Sequence, residues 1–123
     1  MRQRTFFFSK RRDPKGWSIV VQKTDSKGIV NAVGRVKLKR DDESGWKDAL
    51  IQATSNIALE AISEMPQQTI SSLIVSPQEL AWEVANDIWN RFYYDFDRIA
   101  RVGITEDVLR VTLTRRIHMR TKV

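Results

Sequence analysis

The chain has 123 residues, 41% of them hydrophobic, with 21 Lys/Arg against 15 Asp/Glu, no cysteine and one histidine. That length supports one domain with its own core. The composition excludes disulfides, thiolate metal sites and cysteine nucleophiles, and His118 alone cannot make a multi-histidine metal site within one chain.

Charge falls in blocks. Residues 1–40 carry 12 Lys/Arg and 2 Asp/Glu, a net of +10; residues 41–97 carry 2 against 11, a net of −9; residues 98–123 carry 7 against 2, a net of +5. Such polarity points to a polyanion as partner for the basic side, against the plainer reading of acidic helices beside basic strands. No segment is apolar enough to span a bilayer, and no charged-then-apolar leader opens the chain. The expected setting is intracellular and cytoplasmic, with no membrane partner.

In chain order, Phe6-Phe7-Phe8 suits a strand covered on both faces, and Asp13-Pro14-Lys15-Gly16 a turn. Lys10, Arg11, Arg12 and Lys15 crowd that turn, as a phosphate grip or as a solvated hairpin. Trp17 to Thr24 reads as a second strand, Asp25-Ser26-Lys27-Gly28 as a tight turn, and Ile29 to Lys39 as a third strand. There Val30, Ala32, Val36 and Leu38 alternate to one face, and Asn31, Val33, Arg35, Lys37 and Lys39 to the other. Gly34 in the strand interior marks a bulge or a close backbone approach.

Trp46 to Met65 follows as an amphipathic helix with Trp46, Leu50, Ala53, Ile57, Ala61 and Met65 on one face, ended by Pro66. The β-branched run Ile70 to Val75 predicts a buried strand. Ser76-Pro77-Gln78-Glu79 has capping-box spacing with proline where a missing N–H does no harm. It opens a helix with Leu80, Val84, Ile88 and Phe92 on the buried stripe. A connector through Asp95-Phe96-Asp97 to Gly103, with Ile99 and Val102 tucked inward, leads to a last strand over Asp107 to Ile117. Leu109, Val111, Leu113 and Ile117 would face the core there, and Arg110, Thr112, Thr114 and Arg116 would face away. The fold class is therefore α/β (α+β): a single domain over 1–123, a mixed five-stranded sheet in the order βββαβαβ, helices mainly on one face. Residues 1–4 and 119–123 are expected to be flexible basic termini.

This order resembles the ribonuclease H-like fold without its last helix. Gly16-Trp17 matches the family's Gly-aromatic opening of the second strand, Ala58-Leu59-Glu60-Ala61 an ALEA stretch in its first helix, Ile74-Val75-Ser76-Pro77-Gln78 its strand-four T-D-S-x, and Asp87-Ile88-Trp89 its helical D-L-W. The resemblance implies a two-metal carboxylate site, but the corresponding positions are Ser9 or its neighbours, a position near Ile51, and Ser76, none acidic. It thus implies a retained fold with no catalytic residues, metal or cofactor.

Function is then read from charge. The expected activity is non-catalytic nucleic-acid binding, directed at phosphates, through Arg35, Lys37, Lys39, Arg110 and Arg116 on an open sheet face, Lys10, Arg11, Arg12 and Lys15 in the hairpin, and Arg120 in the tail with Lys122. Cations on a sheet also serve simply to discourage edge pairing. Trp17, Tyr93 and Tyr94 are candidates for stacking on bases. The alternative is a small protein-interaction regulator, in the manner of a viral or mobile-element inhibitor, docking through Glu79, Trp82, Glu83 and Asp87. A third reading makes Asp41, Asp42 and Asp48 a divergent metal nuclease, without a convergent ligand arrangement. An exposed edge strand also offers pairing to a second copy of the chain.

Overall fold

Two sequence-encoded turns arrange the first forty residues. β1 (Thr5–Asp13) and β2 (Gly16–Thr24) are joined through Pro14 and Lys15. The Asp13 carboxylate accepts from the Lys15 N–H at 2.8 Å, and Gly16 takes φ of +125°, a region that suits glycine alone. In the second turn Asp25 Oδ1 accepts from the N–H groups of Lys27 and Ile29, and Gly28 has φ of +84°. β3 (Val30–Lys37) then pairs back on β2.

The computed structural model describes residues 4–91 and 101–122. Over these the chain is mixed α/β, with a four-stranded antiparallel sheet and four helices. β4 (Arg101–Thr105) pairs with β1, giving the order β3-β2-β1-β4. The strand expected over 107–117 is instead a helix, and the one expected at 70–75 is reduced to an isolated bridge between Leu73 and Thr121, so among the described residues the sheet has four strands rather than five.

Alternation along the strands divides the sheet into two faces. Phe6, Phe8, Ile19, Val21, Val102 and Ile104 are buried on one, under the helices. α1 (Glu43–Ser63) starts at Asp42, whose carboxylate accepts from the Gly45 N–H at 2.7 Å. Gly45 is required there: a Cβ would overlap the Arg40 carbonyl oxygen. α2 (Gln67–Ser71) is a short turn after Pro66. α3 (Pro77–Arg91) begins with the expected cap, Ser76 Oγ accepting from the Glu79 N–H at 3.1 Å. Its Leu80, Val84 and Ile88 are wholly buried, each contributing about 1.5–3 kcal/mol. Trp89 meets Phe8 edge-on at 5.6 Å and donates from Nε1 to Thr54 of α1 at 2.7 Å, tying helix to sheet and helix to helix. Phe92 lies outside the described residues, as do Tyr93, Tyr94, the Asp95-Phe96-Asp97 stretch and Ile99.

α4 (Glu106–Met119) replaces the expected last strand. Thr105 Oγ1 accepts from the Val108 N–H, and Glu106 and Asp107 occupy the first turn, where negative charge favours a helix start. Leu109 and Leu113 are buried and Val111 is exposed, which is a helical rather than an alternating pattern. The end of the chain is also fastened. The Ile74 N–H donates to the Arg120 carbonyl and the Lys122 N–H to the Ser72 carbonyl, both at 2.8 Å, in place of the flexible tail expected from residue 119. Arg4 is likewise held, its carbonyl accepting from the Glu106 N–H at 2.9 Å. No helix among the described residues is long and apolar enough to cross a membrane.

Candidate nucleic-acid interface

The second sheet face carries Phe7, Ser9, Arg11 and Asp13 of β1, Ser18, Val20 and Gln22 of β2, Arg35 and Lys37 of β3, and Arg101 of β4, as the strand register dictates. The helix contacts described above all fall on the other face. Asp13 is the one acidic residue in the four strands, and it pairs with Arg35 at 3.1 Å. Arg11, Lys37 and Arg101 are exposed on this face without a described carboxylate partner. The Arg101 guanidinium lies 3.7 Å from the centre of the Phe7 ring. Phe7 is thus shielded by a cation, not covered by a second layer as the triple phenylalanine suggested.

Strand alternation splits the hairpin cations. Arg11 joins the second face, while Lys10 and Arg12 turn to the helix side and lie over the rings of Trp46 and Trp17, at 4.7 and 5.7 Å. Lys15 is exposed at the hairpin tip, beside both sets. Trp17, expected as a stacking residue for bases, is half-buried against Trp46 at 5.6 Å.

On β3 a bulge changes the expected phase. Val21 pairs with Gly34 and Gln22 with Ala32, leaving Val33 as the extra residue. Arg35 and Lys37 keep their expected outward face. Val30 and Ala32, expected to point at the core, fall on that outward face and are exposed. Lys39 lies beyond the strand, in the loop leading to α1.

Arg110, Arg116 and Arg120 do not join this surface. Arg110 is on α4, paired with Asp107 one turn earlier at 3.2 Å. Arg116 and Arg120 belong to a cluster between α3 and α4. Glu83 receives a bidentate contact from Arg120, at 3.0 and 2.9 Å, and lies 3.7 Å from Arg116. Asp87 meets Arg115 at 3.1 Å, Arg91 at 3.3 Å and Arg116 at 3.5 Å. The hydrogen bond to Glu83 is the main cause holding the Arg120 guanidinium above its ordinary value. The two carboxylates are only 15% and 13% exposed, so the acidic side chains expected to meet a partner protein are turned onto arginines of their own chain. Glu79 and Trp82 remain on the surface.

Two residues missed in the sequence belong to the picture. Arg101 was hidden in a stretch read as a connector; the signal for a strand was its Val102-Gly103-Ile104 alternation. Arg40, at the other end of the sheet, donates to Ser44 Oγ at 2.7 Å and lies 3.6 Å from Asp42, so a loop cation is held in place. Among the described residues no group of three or more His, Asp or Glu side chains is placed to hold a metal ion. Asp42 is engaged as the cap of α1, and Asp48 lies on the exposed side of that helix. Comparison with protein-family models, curated proteins and solved structures finds no match.

Proposed function

We propose that this protein is a non-catalytic nucleic-acid-binding domain that holds a phosphate backbone on the open face of its sheet. The observation that carries the reading is the set Arg11, Arg35, Lys37 and Arg101, spread over three strands with one carboxylate among them. Cations spaced over a sheet suit a polyanion whose charges repeat, and they read no base. Lys15 extends the row at the hairpin tip. Arg110, Arg116 and Arg120 drop out of the proposed contacts because they lie on α4 and at its C-terminal cap, off the sheet.

The ribonuclease H-like relationship belongs to the same proposal in reduced form. It rests on the order β1-β2-β3-α1, and on that alignment the family's carboxylate positions fall at Ser9, buried in β1, and near Ile51, buried in α1, neither acidic. On this reading the domain would bind without cutting.

The test is fluorescence polarisation with single-stranded DNA, duplex DNA, RNA and hybrid at low and physiological salt. Micromolar or tighter binding at low salt is expected, with log affinity falling linearly in log salt. Replacing Arg11, Lys15 and Lys37 together by Ala should lower that slope by about 2, at roughly 0.7–0.9 per lost phosphate contact. Absence of binding to all four at low salt, or an unchanged slope in the triple variant, overturns the proposal.

A further inference from the structure

Where β3 runs into the loop before α1, a groove of about 580 Å³ opens between that loop, α1 and the start of α3. One wall is cationic, formed by Lys37, Lys39 and Arg40. Asp48 and Gln52, one turn apart on α1, supply hydrogen-bonding groups, and Ala49 and Ile51 lie deeper, both buried. Across the groove stands Trp82, 54% exposed although its neighbours Leu80 and Ala81 are fully buried. About half of this indole is still in water, so a ligand that covers it gains both apolar burial and stacking. A planar ring beside an anionic group is what indole and cations together select. The volume is within the range of small-ligand sites.

One cation of this wall is held in place. Arg40 is fixed by Ser44 and Asp42, and its carbonyl rests on Gly45 where no side chain would fit. Lys37 also belongs to the open sheet face, opposite Ser18 in register. The groove therefore continues the row of cations around the edge of the sheet.

We propose that this groove seats one nucleotide of a single strand, its base stacked on Trp82 and its phosphate against Lys37, Lys39 and Arg40. This deepens the reading above and rests on it: the sheet face would carry the backbone, and the groove would favour single strands, because a paired base cannot reach the indole. Asp48 and Gln52 are placed to meet the edge of the seated base.

The experiment is polarisation of a short fluorescein-labelled oligothymidylate and of a matched duplex, with Trp82→Ala and Trp82→Phe. Trp82→Ala should weaken the single strand about 5- to 100-fold and the duplex less than about twofold, with Trp82→Phe intermediate. Wild type should also lose tryptophan fluorescence on titration with unlabelled strand, and Trp82→Phe should lose much less. Retention of full single-strand affinity by Trp82→Ala, while an Arg11 and Lys15 double variant still weakens it, overturns the groove and leaves the sheet-face reading standing. Failure of wild type to bind either probe overturns both. Trp82-dependent binding of an acidic peptide without oligonucleotide binding also overturns both, and assigns the groove to a protein partner.

Discussion

Arginine has opposite roles in two regions of this molecule. Arg115, Arg116 and Arg120 reach from α4 and its cap to Glu83 and Asp87 of α3 and hold the two helices together, while Arg91 adds a pair to Asp87 within α3. On the sheet, Arg11 and Arg101 belong to strands that contain a single acidic residue, Asp13, which is occupied by Arg35. A count of basic residues treats the two regions alike. What separates them is whether a carboxylate lies across the packing interface, and that depends on tertiary structure.

The comparison can be broken most forcefully at Asp87. Asp87→Ala removes the common partner of three arginines and leaves them facing one another, so a loss of about 2–3 kcal/mol is expected in urea unfolding. A loss below about 0.5 kcal/mol would mean that the cluster is ornamental. Arg101→Ala comes next. Its contact with Phe7 predicts a loss of about 0.5–1 kcal/mol, together with weaker nucleic-acid binding, so this residue serves both roles. Replacing Arg11, Lys15 and Lys37 together should leave stability within about 0.5 kcal/mol of wild type, since none has a described ionic partner. A larger loss would move these three residues into the structural class. The smallest effect is expected of Arg110→Ala, whose exposed pair with Asp107 is worth about 0.2–0.5 kcal/mol, with no change in nucleic-acid affinity.

Where local signals agreed with one another, the sequence was a good guide. The Asp-Pro-Lys-Gly and Asp-Ser-Lys-Gly turns, the Trp46-to-Met65 periodicity and the Ser76 cap each name an element that is present. Two of the misread elements, besides the connector that is β4, share a cause. Ile70 to Val75 is rich in β-branched residues, yet Leu73 is its one buried residue, and it meets a single bridge partner, Thr121, near the end of the chain. In residues 107–117, Leu109, Leu113 and Ile117 satisfy both a period of two and the i, i+4 spacing of a helix. The Val and Thr residues between them favoured the strand reading, while the cap at Thr105 decided for the helix. The site suffered accordingly. Arg35 and Lys37 fall on the outward face as expected because they follow the bulge in β3, whereas Lys10, Arg11 and Arg12, expected in a hairpin loop, lie in β1 and divide between its faces. Arg116 and Arg120 were misplaced, because their partners come from a helix some thirty residues earlier. Trp82 was seen as a surface residue, but its basic neighbours Lys39 and Arg40 precede it by a whole helix and could not be foreseen.

The position of β1 has a consequence for synthesis. It is an inner strand, yet one neighbour follows it immediately while the other, β4, pairs Thr5 with Thr105 and Phe6 with Ile104. At roughly 5–20 residues per second, a nascent chain carries the Phe6-Phe7-Phe8 strand with one side unpaired for about 5–20 seconds. During that interval it is a template for any other extended segment. Limited trypsin digestion of ribosome-bound chains checks this. Cleavage after Arg4, whose carbonyl accepts from the Glu106 N–H beside the Thr5–Thr105 pair, should stop only once residues beyond Thr105 have emerged, and earlier protection would show that β1 does not wait for β4.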